Sequence, residues 1–331
     1  MTLQPIISVA PMMDYTDRHF RYIMRKMTKK TLLYTEMITT QAIIHGDRAK
    51  LLDFSEEEKP VSLQLGGDNP QQLAECAKIG QDWGYDEINL NVGCPSSRVQ
   101  NGNFGACLMA HPHKVAQAIE AMEKAVNIPV TVKHRIGIDD QDSYQDMVYF
   151  VKTLADSGCQ RFIIHARKAW LQGLSPKENR DIPPLRYQDV YRLKQEFFPL
   201  TIEINGGITS IEQTKKHLNY VDGVMIGRAA YDNPYLFAYV DREIYGEDKA
   251  IASREEIIES LYPYIDFWTS RKVKLNTIMR HLLQIFAGQT GTKAWKRYFA
   301  ENGNTFLDGS KIVSQALVMI KKGNEENTTK E

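Results

Sequence analysis

The chain has 331 residues, with 41 Lys and Arg against 41 Asp and Glu and four cysteines. That length allows one domain of about 250 residues with an appendage, and the zero net charge requires any polyanionic partner to be held by a local basic surface. Cys76, Cys94, Cys107 and Cys159 form no C-x-x-C pair and have no companion histidine spacing. A zinc motif and a disulfide framework are thereby excluded, no structural metal is expected, and the thiols read as reduced in a cytoplasmic setting. Met1 to Ile7 has no basic region leading into an apolar one, and no run approaches the roughly 20 apolar residues that cross a bilayer, so neither a signal peptide nor a membrane partner is expected.

In chain order, short apolar or β-branched segments recur at Ile6–Pro11, Leu32–Thr35, Val61–Leu65, Glu87–Asn91, Val130–His134, Arg161–His165, Thr201–Asn205 and Gly223–Ile226. Amphipathic stretches lie between them, among them Pro70–Trp83, Pro112–Ala125, Tyr144–Ser157 and Tyr187–Phe197, each long enough to carry the chain back for a parallel strand. Eight such units predict an α/β fold, a TIM (β/α)8 barrel over residues 1–248. A doubly wound sheet would carry G-x-G-x-x-G after its first strand, where this chain has A-P-M-M. Beyond Gly246 no strand pattern appears. A capping box, Ser253-x-x-Glu256, opens a helix, and further helical stretches at Val273–Ala287, Lys293–Asn302 and Ser310–Lys321 predict a small C-terminal all-helical bundle over 249–323, followed by a disordered tail at 324–331.

A barrel builds its active site at the carboxyl ends of its strands, and here those ends are polar: Gln64, then Asn91 and Cys94, Lys133 with Arg135, His165 with Arg167, Asn205-Gly206-Gly207, and Gly227-Arg228. Cys94 stands between Gly93 and Pro95, in a stiff turn after a buried strand, not inside an apolar run as a core cysteine would. It could act as a thiolate nucleophile or as a neutral acid, and an ordinary thiol pKa of about 8.5 suits the acid. The loop Val92–His111 is long for a β-α connection and, with Gly93, Gly102 and Gly105, reads as a candidate lid. Lys133, costly to bury unpaired, faces a ligand or a carboxylate. Glycines at the ends of the last two strands, with Arg228, suit a phosphate group, although Gly206-Gly207 alone reads equally as a tight turn, and Gln64 and His165 equally as structural residues. Cys76 and Cys159 read as structural, and Cys107 as core-facing.

Charge is unevenly spread. From Phe267 to Ala300 there are seven basic residues and no acidic one, with Trp295, Tyr298 and Phe299 among the last three. The loop after His165 adds Arg167, Lys168, Lys177, Arg180 and Arg186. Basic side chains interleaved with aromatics suit a nucleic-acid backbone and its bases, while the plainer reading turns the aromatics into the bundle core.

In A-P-M-M-D-Y-T-D (Ala10–Asp17), L-Q-L-G-G (Leu63–Gly67), N-L-N-V-G-C-P-S (Asn89–Ser96), N-G-N-F-G-A-C-L-M (Asn101–Met109), V-K-H-R-I-G (Val132–Gly137), I-H-A-R-K-A-W-L (Ile164–Leu171), L-S-P-K-E-N-R (Leu174–Arg180), N-G-G-I (Asn205–Ile208) and M-I-G-R-A-A-Y (Met225–Tyr231), the chain resembles the tRNA-dihydrouridine synthases. R-H-L-L (Arg280–Leu283) and K-A-W-K-R-Y (Lys293–Tyr298) resemble the A-type subfamily. The resemblance implies a cytoplasmic, monomeric FMN flavoprotein that uses NADPH to reduce D-loop uridines at tRNA positions 20 and 20a to dihydrouridine. It implies hydride addition from flavin N5 to uracil C6 and protonation of C5 by Cys94. Pro11, Met12, Met13, Gln64, Lys133, His165, Asn205, Gly206, Gly207, Gly227 and Arg228 are then the FMN positions. Asn91, Lys177, Arg180, Lys293 and Lys296 are the tRNA positions. Other classes would be an FMN barrel acting on a free small molecule, a non-catalytic RNA-binding protein, or a Schiff-base aldolase using Lys133.

Overall fold

A computed structural model describes residues 4–328, with side chains described up to 320. The chain divides into two compact units: the first combines the N-terminal segment through Thr16 with Lys30–Gly227, and the second combines Asp17–Lys29 with the chain from Arg228 onward.

The first unit is the expected barrel. Its strands are β1 (Ile6–Val9), β2 (Leu33–Tyr34), β3 (Ile38–Thr39), β4 (Val61–Gly66), β5 (Glu87–Val92), β6 (Val130–Arg135), β7 (Arg161–His165), β8 (Thr201–Asn205) and β9 (Gly223–Ile226). All neighbours are parallel, in the order β1-β9-β8-β7-β6-β5-β4-β2. The ring closes where Leu32 bridges Ser8: Val9 N donates to Leu32 O at 3.0 Å and Leu32 N to Ile7 O at 2.9 Å. β3 is a two-residue strand on β4 that the periodicity does not reveal.

Every residue of β4 and of β5 is buried, as expected for a parallel sheet covered on its outer face by helices. The inner face alternates with the outer one, and it is unusually polar. Ala10, Leu32, Tyr34, Ile163 and Met225 form an apolar cluster there. Helices Pro70–Asp82, Pro112–Ala125, Tyr144–Ala155 and Tyr187–Glu196 fall within a residue or two of their predicted bounds. Asn69 caps the first of these and a Ser143–Asp146 capping box opens the third.

The second unit is helical. Asp17, the last residue of A-P-M-M-D-Y-T-D, caps the helix Arg18–Met27 through Phe20 N at 3.0 Å. The same carboxylate takes Arg280 Nη2 at 2.6 Å and lies 3.1 Å from His281 Nε2. Burial works against that charge, yet the hydrogen bonds from His281, Phe20 and Arg280 hold its pKa well below the usual carboxylate range. The domain boundary read from composition, 248, falls inside this unit, because Pro234, Tyr235, Phe237, Ala238 and Val240 already form buried helical turns. The Ser253–Glu256 capping box is present.

Two helical expectations need correction. The stretch 273–287 is α-helical only over Leu275–Met279. Beyond it the backbone makes tighter turns, such as Ile285 N to Leu282 O at 3.1 Å and Ala287 N to Gln284 O at 2.9 Å, while Trp295 Nε1 and Arg254 Nε take the Leu282 and Ile285 carbonyls. The last helix runs Gly309–Thr328, into the tail expected to be disordered from 324, since Glu325 and Glu326 are good helix formers and no proline stops it. Residues 329–331 lie outside the described residues.

Candidate active site

Strand register gathers the polar strand ends. Asn91 is paired with Lys133, Arg135 with His165, and His165 with Asn205. β5 ends at Val92 and the chain turns at once, because Asn91 Oδ1 accepts from both Gly93 N at 3.1 Å and Cys94 N at 3.0 Å. Cys94 is half-buried and free, and its Sγ lies 3.7 Å from Ser96 Oγ. Gly105, at φ +76°, lets the loop fold back on this turn: Ala106 N donates to Cys94 O at 2.9 Å, and a Cβ on Gly105 would stand 2.6 Å from that oxygen. The loop read as a candidate lid is therefore braced, with a helical turn at Ser97–Gln100 and a 3-10 segment at Gly105–Ala110.

Beneath the turn runs a directional chain of hydrogen bonds. Asn91 Nδ2 donates to Gln64 Oε1 at 2.9 Å, Gln64 Nε2 to Asn89 Oδ1 at 2.8 Å, Asn89 Nδ2 to Thr131 Oγ1 at 2.9 Å, and Thr131 Oγ1 to Glu87 Oε1 at 2.9 Å. One continuous set of amides thus fixes the backbone of Cys94 against the barrel interior.

Lys133 is half-buried in the site, and its Nζ donates to the amide oxygen of Asn205 at 3.2 Å. Among the described residues no carboxylate forms an ion pair with it. Burial, reinforced by the neighbouring Arg135, brings its pKa down to about 8. His165 is driven well below its ordinary value by burial and by Arg135, Lys133, Arg167 and Arg180, all of them cations. It is thus a neutral imidazole at physiological pH and cannot serve as a proton donor with imidazolium acidity.

At the end of β8, Gly206 and Gly207 have φ of +118° and +71°. A Cβ on Gly206 would meet the His165 ring at 2.7 Å, and one on Gly207 would meet Leu185 at 2.7 Å and Tyr187 Oη at 2.9 Å. Both glycines are required, and Tyr187 Oη locks the turn by donating to Gly206 O at 2.7 Å. Gly227 follows β9, near Ala10. Arg228 opens the second unit and is exposed. Met12 and Met13 lie on a turn held by Thr16, which exchanges hydrogen bonds with Met12 N at 3.1 Å and Met12 O at 3.2 Å. Pro11 and Met12 are half-buried and Met13 is exposed.

Cations facing neutral oxygens, beside two adjacent glycines, suit an anionic group. The dihydrouridine synthase (Dus) family matches residues 8–318, nearly the whole chain. The chain belongs to the dihydrouridine synthase family. That family is one of flavin-dependent oxidoreductases, and the residues above fit a flavin. The chain is 65% identical over 311 residues to the tRNA-dihydrouridine(20/20a) synthase of Synechocystis sp., covering 94% of this chain and 93% of that one. It is 56% identical to those of Vibrio parahaemolyticus, over 97% and 99% of the two chains, and Shewanella oneidensis, over 96% and 95%.

The structure sorts the basic residues of this dihydrouridine synthase. Arg167 donates to the carbonyls of Asp181 and Pro183, Lys168 to Asp139 O at 2.9 Å, and Arg186 pairs with Asp142 and Asp189, so these three hold the rim loop together. Lys177 and Arg180 are exposed, one on each side of the Glu178–Asn179 pair, and the buried Asn179 pins the loop through Trp170 N at 2.8 Å and Trp170 O at 2.9 Å. In the second unit Lys293 is exposed and Lys296 Nζ donates to Gln284 Oε1 at 2.8 Å; both line a groove of about 540 Å³ with Gly288, Gly291 and Thr292. Trp295 and Phe299 are each 1% exposed, so they build the bundle core and present no ring for base stacking. Arg280 is bound to Asp17.

Cys76 and Cys159 are buried as expected, with pKa pushed up to about 12 by desolvation. Cys107 is half-buried against Phe104 O. Sequence reasoning missed Asn89, though its N-x-N spacing with Asn91 puts both on one strand face, and it gave no role to Arg135, which follows Lys133 at the same spacing.

Proposed function

We propose that this enzyme reduces uridines 20 and 20a of the tRNA D-loop to 5,6-dihydrouridine, with FMN as its cofactor, NADPH as reductant and Cys94 as the acid that protonates C5. The observation that carries this reading is that Asn91, whose side chain holds the backbone of the half-buried Cys94, pairs across β5 and β6 with Lys133, a half-buried lysine with no carboxylate ion pair among the described residues. The relatives named tRNA-dihydrouridine(20/20a) synthase support the substrate and its positions. FMN, when bound, supplies the hydride that it accepts from NADPH.

The chain's own residues do the rest. Lys133 holds a positive charge where the ring gathers negative charge, Gln64 and His165 present neutral polar edges, Pro11, Met12 and Met13 line the ring, and Asn205, Gly206, Gly207 and Gly227 receive the phosphate, with Arg228 next in the chain. Cys94 is half-buried in a loop turn at the strand ends, and His165, kept neutral, does not compete with it as an imidazolium acid. The target uridine leaves its stack to reach it, which costs less in a tRNA loop than in a duplex. Lys177, Arg180, Lys293 and Lys296 contact the RNA backbone. Asn91, a tRNA position by resemblance, is 9% exposed with both ends of its amide occupied, and we assign it to holding the thiol. The enzyme works as a cytoplasmic monomer; among the described residues no helix is long and apolar enough to cross a membrane.

Cys94→Ala tests the central role. The variant should retain FMN and tRNA affinity while dihydrouridine formation in unmodified tRNA falls by about 10²–10⁴-fold; full activity would remove the acid assignment. Lys293→Ala with Lys296→Ala should weaken tRNA binding and flatten its dependence on salt, with flavin content unchanged. Mapping dihydrouridine in tRNA from cells lacking the protein tests the two positions directly.

A further inference from the structure

The carbonyls on either side of Cys94 are held by two donors that also hold a second loop. Gly93 O accepts from Arg135 Nε at 2.9 Å, and the same guanidinium donates through Nη1 to Lys168 O at 2.9 Å and Asn179 O at 3.0 Å. Pro95 O accepts from Gln100 Nε2 at 2.8 Å, and that nitrogen donates again to Leu171 O at 2.8 Å. Both hydrogens of one amide are thereby used on two loops 71 residues apart in sequence. An apolar knot of Ala106, Ile138 and Ala169, with Met109 and Leu171 packed against it, joins the same segments.

The second loop is the one that carries Lys177 and Arg180 around the pinned Asn179. A displacement of that loop therefore reaches the thiol through its neighbours on both sides. Arg135 is 3% exposed and donates to three backbone oxygens, which suits a strut. Gln100 is half-buried, and its amide nitrogen bonds to Pro95 O and Leu171 O, neither of which is a position assigned above to the flavin.

We infer that Gln100 is a positioning residue for the reaction: with Arg135 it ties the Cys94 loop to the 168–180 loop, so that an RNA phosphate seated on Lys177 and Arg180 fixes the thiol over the target base. This rests on the reading of Cys94 as the acid and of the 168–180 loop as an RNA contact. It adds that RNA binding and thiol placement are one event, carried by the second amide hydrogen of Gln100.

Gln100→Ala removes both hydrogen bonds, and Gln100→Glu keeps the shape while replacing the donor by a carboxylate that can give the two carbonyls no hydrogen. In either variant, flavin content, the rate of flavin reduction by NADPH without tRNA, and tRNA affinity should stay at wild-type values. Oxidation of the reduced enzyme by unmodified tRNA in a single turnover should slow by about tenfold or more, the size expected when a reacting group is misplaced by a fraction of an ångström. Alkylation of Cys94 by iodoacetamide, followed on its own peptide, should be suppressed by tRNA in the wild type and much less so in the variant. A wild-type single-turnover rate together with wild-type suppression of alkylation in both variants would overturn the inference. Should Gln100→Ala fail to fold, Gln100→Glu decides it. An active Cys94→Ala would instead overturn the functional reading, and the two failures are distinguishable.

Discussion

The two ends of the barrel interior treat buried charge in opposite ways. Near the amino ends of the strands, Glu87 and Glu203, 3% and 0% exposed, share Arg161, whose Nη1 lies 2.6 Å from Glu87 Oε2. Tyr34, Ser62 and Thr131 donate to Glu87, and Ser8 donates to Glu203. Burial raises the Glu203 pKa, yet the pairing with both carboxylates raises that of Arg161 above its ordinary range against the same burial. Two acids and one base, joined by ion pairs and by hydrogen bonds from four hydroxyls, form a closed network. At the carboxyl ends Lys133, half-buried, and Arg135, buried, face an amide oxygen and backbone carbonyls instead. The first end satisfies its charges with protein; the second leaves cations in need of an anion, and that separates a structural floor from a binding site.

The largest effect that would break this contrast is at the floor. Arg161→Met leaves two buried carboxylates facing each other and should destabilise the fold by about 3–5 kcal/mol, measured by urea unfolding. Because one carboxylate must then take up a proton to stay buried, the loss should be greatest at neutral pH and shrink as pH falls toward the acid range. A variant of wild-type stability would mean that the floor is no more closed than the mouth.

How far the sequence discloses each end follows from what pattern can encode. Eight strands were legible because β-branched, apolar runs are covered on their outer face, and Cys94 stood out because Gly93 and Pro95 interrupt such a run. The two-residue β3 carries no period to detect. The break after Met279 was hidden because the Leu282, Ile285 and Phe286 carbonyls turn to side chains from other elements, a tertiary choice. For the same reason the clusters of basic residues looked uniform: which arginines hold the rim loop and which remain exposed depends on carbonyls and carboxylates contributed by distant segments. Asn89 and Glu87 were read as parts of a strand, and only closure of the barrel places Gln64, Thr131 and Arg161 against them.

A smaller effect, about tenfold per pH unit, sharpens the comparison at the mouth. Lys133 titrates at about 8 in the ligand-free protein because burial disfavours its charge, whereas in the unfolded chain a lysine titrates at about 10.4. Between those values the unfolded state binds the extra proton, so this residue's contribution to ligand-free stability must rise with pH through that window. An anionic ligand acts in the opposite sense, since it favours the ammonium and raises its pKa in the complex. FMN affinity should therefore be highest below about pH 8 and fall from there toward about pH 9.5. Lys133→Met should flatten both slopes, with FMN affinity measured by fluorescence quenching and stability by urea titration at each pH. If wild-type affinity were level across that range, Lys133 would not be meeting the charge of the flavin, and the mouth of the barrel would need another counter-ion for its cations.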